Sequence, residues 1–270
     1  MLGETGIDGF DTWARELVAT GYLHNHARMW FASIWIFTLR LPWELGADFF
    51  LRHLIDGDPA SNTLSWRWVG GLHTPGKTYL ATAENIALNT RGRFRPEGLA
   101  AEAPPLPMQP VPDPRPAPLG DALDLTAPSL LLVTEDDLSP EYLLDQGLRS
   151  RAVAVLTDVA GRSPLAVADH VHRFTNAAVT DALGRIGAPD APRFGRGDLA
   201  ALLDLADREG ATRIVTPYAP TGPVASTLTE LSRHATPRGI TVTRILRDHD
   251  RMAWPYATHG FFRFREAVMG

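Results

Sequence analysis

The chain has 270 residues, enough for one large domain or two modest ones with a substantial core. It is 44% hydrophobic and 21% charged, as ordinary soluble globular proteins are, and its lack of cysteine excludes disulfides, thiolate metal sites and iron–sulfur clusters. A net charge of −5 gives no electrostatic footprint for nucleic acid over the chain as a whole, although a local groove can be basic inside an acidic protein.

The N-terminus carries Glu4, Asp8 and Asp11 and does not resemble a secretory signal. The spacing then predicts a helix from Asp11 to Thr20, stopped at Gly21. His24 to Leu39 runs without Gly or Pro and predicts a mostly buried helix. Its apolar stretch Trp30–Leu39 is too short to span a bilayer, so the expectation is a cytoplasmic protein with no membrane partner. Pro42 opens a third predicted helix, with Trp43, Phe49, Phe50 and Leu54 inward, and Asp56–Asn62 reads as a polar turn. Prolines from Pro96 to Pro128 mark residues 95–128 as an extended linker. Beyond it, the short apolar runs Leu130–Val133, Ala152–Leu156, Arg213–Val215 and Thr241–Ile245 alternate with helical stretches at Leu165–Ile186, Leu199–Glu209 and Val224–His234. That alternation predicts a parallel α/β sheet. The fold class is therefore α + α/β, with helical residues 1–94, a linker over 95–128 and a Rossmann-like domain over 129–270.

Thr20 to Trp68 concentrates the polar chemistry, with His24, Asn25, Arg28, Asp56, Asp58, Asn62, Trp43, Trp66 and Trp68 in about fifty residues. Charged groups, amides and indoles at that density suit a planar ligand with a polar edge, held between apolar faces. Arg28 can pair with Asp56 or Asp58, and Asn25 and Asn62 can donate or accept. The segment IDGDPASN also reads as an ordinary capped turn, and as a calcium loop it lacks the later acidic ligands. Residues 71–78 match the phosphate-binding pattern G-x-x-x-x-G-K-[ST], which requires a strand before it and a helix opening at Lys77. Residues 216–226 could meet a small ligand at the carboxyl edge of the sheet, although ordinary loop chemistry explains them equally well.

The stretch GETGIDGFDTWARELVATGYLHNHARM, followed by LIDGDPASNTLSWRW, resembles the FAD-binding helical domain of the cryptochrome/photolyase family. Thr5-Gly6, Asp11, Arg15, Thr20-Gly21, His24-Asn25, Arg28-Met29, Asp56-Gly57-Asp58, Asn62, Trp66 and Trp68 carry the resemblance. It implies FAD as cofactor, with Asn25, Arg28, Asp56, Asp58 and Asn62 around the flavin ring and ribose, and Asn62 facing N5 as in the DNA-repairing branches. It also implies Trp66 and Trp43 as inner and middle members of an electron relay, and Met29 and Trp68 beside a flipped-out pyrimidine dimer in damaged DNA. Trp30 and Trp35 read as plain core. His26 departs from an arginine common in the family, and Tyr22 from a tryptophan. The region that grips the flavin phosphates, an acidic residue by the substrate and the outer relay tryptophan would all precede Met1, as if this were the C-terminal part of a longer protein. Leu130–Asp137, Asp198–Val215 and the ending DRMAWPYATHGFFRFREAV resemble the family's α/β domain in swapped order, which leaves an antenna chromophore there undefined. The implied activity is that of a deoxyribodipyrimidine photolyase. Beside it stand a blue-light sensor without lyase activity and a truncated, non-catalytic remnant.

Overall fold

A computed structural model of the chain describes residues 3–269, apart from 75, 109, 111, 112, 114 and 259. The chain forms two compact units, one of Met1–Val111 with Val159–Thr175, the other of Pro112–Asp158 with Asn176–Gly270.

The first unit is helical. Helix α1 (Phe10–Thr20) starts one residue before the predicted span, buries Phe10, Trp13 and Leu17 on an i, i+3, i+7 face, and ends as Gly21 turns left-handed at φ 72° with its N–H on the Leu17 carbonyl. Asp11 fastens the preceding segment by accepting from the Thr5 amide (2.9 Å), the Thr5 hydroxyl (2.8 Å) and the Gly6 amide (2.8 Å). The predicted helix after His24 forms in two parts. Helix α2 (Asn25–Ser33) is followed by a π-helical turn over Ile34–Thr38, in which the Leu39 amide reaches back to Ile34. Helix α3 is Trp43–Leu51, so Leu54 lies beyond its end.

The polar turn expected over Asp56–Asn62 is shorter than that. Helix α4 (Pro59–Val69) begins inside it, because Asp58 caps the Ser61 amide and Pro59 supplies a first helical residue with no N–H to satisfy. Helix α5 is Ala83–Asn89. The proline-rich segment has no helix or strand among its described residues, yet its first part is fastened down. The Ala100 amide bonds Thr38, the Leu106 amide bonds Gly70, and Leu99, Ala103 and Leu106 pack on the helical core. Pro112 and Pro114 of that segment lie outside the described residues.

The second unit is a five-stranded parallel sheet ordered β3-β2-β1-β4-β5, with β1 Ser129–Thr134, β2 Ser150–Thr157, β3 Arg193–Gly195, β4 Arg213–Pro217 and β5 Thr241–Ile245. Strand β1 reads as a continuous apolar run because both its faces are covered. Leu130 and Leu132 face a core shared with α8 (Leu199–Arg208) and α9 (Pro223–Ala235). Leu131 and Val133 face one shared with α6 (Glu141–Asp145) and α7 (Asp169–Arg185). Two short elements, β3 and α6, were not expected from the sequence, being three and five residues long.

Candidate functional site

Helices α2 and α4 set the site by their period. Asn25, Arg28, Met29 and Ala32 recur at helical spacing on α2, and Asp58, Asn62, Trp66 and Val69 do so along α4. All eight line one cavity of about 260 Å³. The Leu54, Asp56 and Gly57 turn closes its end, Phe50 forms its apolar floor, and Trp68 with Ser61 and Ser65 completes the lining. Every residue expected to touch a ligand is therefore brought to one place.

Within the cavity the polar groups are partly committed. One guanidinium nitrogen of Arg28 straddles both oxygens of Asp56, at 2.9 and 3.1 Å, while Arg28 Nε donates to the Leu23 carbonyl at 2.9 Å. Asn62 donates through Nδ2 to the Ala47 carbonyl at 2.8 Å, which fixes the amide and turns its roles from open to defined. Asp58 is both helix cap and cavity wall. Asn25 is exposed at the rim, its Nδ2 4.0 Å from the Met29 sulfur. Trp66 is 2% exposed, and its buried indole N–H has no hydrogen-bond partner among the described residues. A buried donor left unmatched is costly.

Trp43 is placed differently. It does not line the cavity but lies partly buried, with the Arg67 guanidinium 5.8 Å from its ring. The ring neighbours of Trp66 are Phe50 (5.0 Å), Trp35 (6.2 Å) and Phe31 (6.5 Å). Trp35, expected as plain core, is buried as expected but also touches Trp66 edge-on. Its N–H bonds the carbonyl of Pro42, directly before Trp43. Sequence reasoning named Phe50 and Leu54 only as inward residues and missed Ala32, Ser61, Ser65 and Val69, whose one signal was helical spacing from the polar positions.

A family described as the FAD-binding domain of DNA photolyase matches residues 1–94. Over that region the chain is similar to the FAD-binding domain of the cryptochrome/photolyase family. Deoxyribodipyrimidine photo-lyases supply the relatives. That of Streptomyces griseus is 46% identical over 95 residues (34% of this chain, 21% of the relative), and that of Salmonella typhimurium 42% over 77 residues (28% and 16%). That of Thermus thermophilus is 38% identical over 96 residues, 36% of this chain and 22% of the relative. The match thus spans about a fifth of the length of these photolyases. No solved structure matches the chain significantly.

The description of the matching family names FAD, and the residues present fit its ring system. The cavity offers apolar faces from Phe50, Ala32 and Val69, a neutralised Arg28–Asp56 pair and the oriented Asn62 amide. Its volume falls just under the ~300–1,000 Å³ usual for small-molecule sites, so it suits part of a dinucleotide rather than the whole.

The competing phosphate-loop pattern fails on context. Residues 66–69 before it are helix, not strand, and no helix opens at Lys77; Pro75 of the pattern lies outside the described residues. Among the described residues, no group of acidic and histidine side chains is placed to hold a metal, and no helix is long and apolar enough to cross a membrane.

Proposed function

We propose that this chain belongs to a light-driven flavoprotein that repairs pyrimidine dimers in DNA, in the manner of a deoxyribodipyrimidine photolyase. The observation that carries this reading is the convergence of Asn25, Arg28, Asp56, Asp58 and Asn62 on one cavity with Trp66 in its wall. Bound FAD supplies an excitable electron donor for the dimer. The protein's own part is to orient and tune. Asn62, held by Ala47, presents its free amide edge to the ring, and Arg28 with Asp56 offers a paired charge that costs less to cover with ligand than a lone one. Trp66 and Trp43 form the electron path, with Trp35 touching the first and bonded beside the second. Met29 and Trp68, at the rim, take the dimer side, where a base leaves the duplex stack to be reached.

The small cavity favours a second reading, in which the chain shares the family's architecture but does not hold FAD by itself. Incubating the purified chain with FAD and recording its visible absorption after gel filtration separates the two. Retained flavin bands, followed by blue-light repair of a dimer-containing oligonucleotide, support the first reading. A colourless protein supports the second. Retained flavin that photoreduces without dimer repair points to a sensor.

A further inference from the structure

After β2 the chain returns to the helical unit for residues 159–175 and lies against the loop that joins α3 to α4. That loop has no regular structure of its own, and the carbonyls that follow a helix C-terminus need donors from elsewhere. Each of its successive carbonyls, at Arg52, His53 and Leu54, receives a donor from the returning segment. The Ala168 amide donates to Arg52 at 2.9 Å, His170 Nε2 to His53 at 2.6 Å, and Arg162 Nη1 to Leu54 at 3.1 Å. A carbonyl only accepts, so His170 carries its proton on Nε2. Val159, Val167 and Val171 form the segment's own small buried cluster.

The clamped loop leads straight into the cavity wall, since Leu54, Asp56, Gly57 and Asp58 all line it. Gly57 is squeezed from the same side. A methyl group there would sit 3.2 Å from Arg162 Nη1 and 3.1 Å from the Leu51 and Leu54 carbonyls. The Ile55 amide in turn bonds the Gly21 carbonyl at 3.0 Å, at the end of α1 and close to His170. The carboxylates of Asp56 and Asp58 are thus set by a loop held by the returning segment and by the end of α1.

We propose that residues 159–175 act as a positioning clamp for the Asp56–Asp58 wall of the cavity, with Arg162 as its principal grip. Residues that touch no ligand then govern ligand affinity, because a wall free to shift by an ångström no longer presents its groups at bonding distance. The consequence for FAD rests on the flavin reading; the grip on the loop does not.

The test uses the full chain and its Arg162→Ala and Arg162→Lys variants, and reads amide hydrogen exchange together with FAD affinity. Loss of a charge-assisted hydrogen bond predicts exchange about tenfold faster at Ile55 and Gly57, unchanged exchange in α1, and FAD binding weakened by a similar factor. Arg162→Lys, which keeps a donor, should recover part of both. Unchanged exchange at Ile55 and Gly57 overturns the clamp. Faster exchange with undiminished FAD affinity overturns its positioning role. If Arg162→Ala loses protection in α1 as well, Arg162→Lys decides by the same two readouts. Should the unmodified chain bind no FAD, the flavin reading fails and exchange alone judges the clamp.

Discussion

Gly46 shows how closely the core around Trp66 is fitted. A mid-helix glycine costs roughly 0.5–1 kcal/mol relative to alanine, so α3 tolerates one only where space demands it. Here a methyl group would lie 2.2 Å from Trp66 Cη2 and 3.1 Å from Trp35 Cε2. Gly46→Ala is therefore expected to destabilise the unit by about 1–3 kcal/mol despite its better helix propensity, because overpacking outweighs the propensity gain. Chemical denaturation followed by tryptophan fluorescence checks this, and a stabilised variant would contradict it. Asp56 behaves in the opposite way. It is 55% exposed, so its pair with Arg28 contributes at most about 1 kcal/mol to folding. Asp56→Asn should barely move the unfolding midpoint yet lower FAD affinity, since it leaves Arg28 unbalanced against the ligand. An equal loss of stability and affinity would mean the pair is structural.

At the scale of elements, much was legible where side-chain periodicity carries the signal. Asp11 to Thr20 with its stop at Gly21 marked α1, and Leu130 to Val133 marked a strand that proves buried on both faces. The start of α4 was not legible as such, because Asp58-Pro59 with Ser61 serves a turn and a helix cap equally well. The π turn at Ile34–Thr38 left no mark either, since a uniformly buried run has no polar face to betray a change of period. The link between α1 and the segment before it rests on Asp11 and makes a pH prediction. Burial alone would raise the Asp11 pKa, but hydrogen bonds from Thr5 and Gly6 and the charge of Arg15 hold it below the ordinary 3.8. A depressed folded-state pKa means that this stabilisation is present above about pH 4 and is lost as pH falls through the lower folded value. Asp11→Asn should thus be less stable than the unmodified chain at pH 7. The gap should close as both are titrated from pH 5 towards pH 2, read as the denaturant midpoint at each pH. A gap that stays constant would show that Asp11 acts through shape rather than charge.

Across the whole molecule, what the sequence concealed is where the chain goes after β2. Residues 159–175 hold the helical unit largely by donating to the backbone carbonyls of Arg52, His53 and Leu54, acceptors that every residue type carries and no pattern reveals. The two units are consequently not successive along the chain, and this has a test. Leu119 is 81% exposed in the proline-rich segment, where a sequence-specific protease site can be inserted with little cost. Cleavage there separates the chain into an N-terminal piece with α1 to α5 and a C-terminal piece that carries residues 159–175. Because those residues complete the first unit, the two pieces should elute together from a native sizing column after cutting and come apart only in denaturant. Adding Arg162→Ala to the cleaved protein should loosen the pair measurably, by removing the grip on Leu54. Pieces that separate at once under native conditions would mean that the three carbonyl contacts are too weak to hold the returning segment in place.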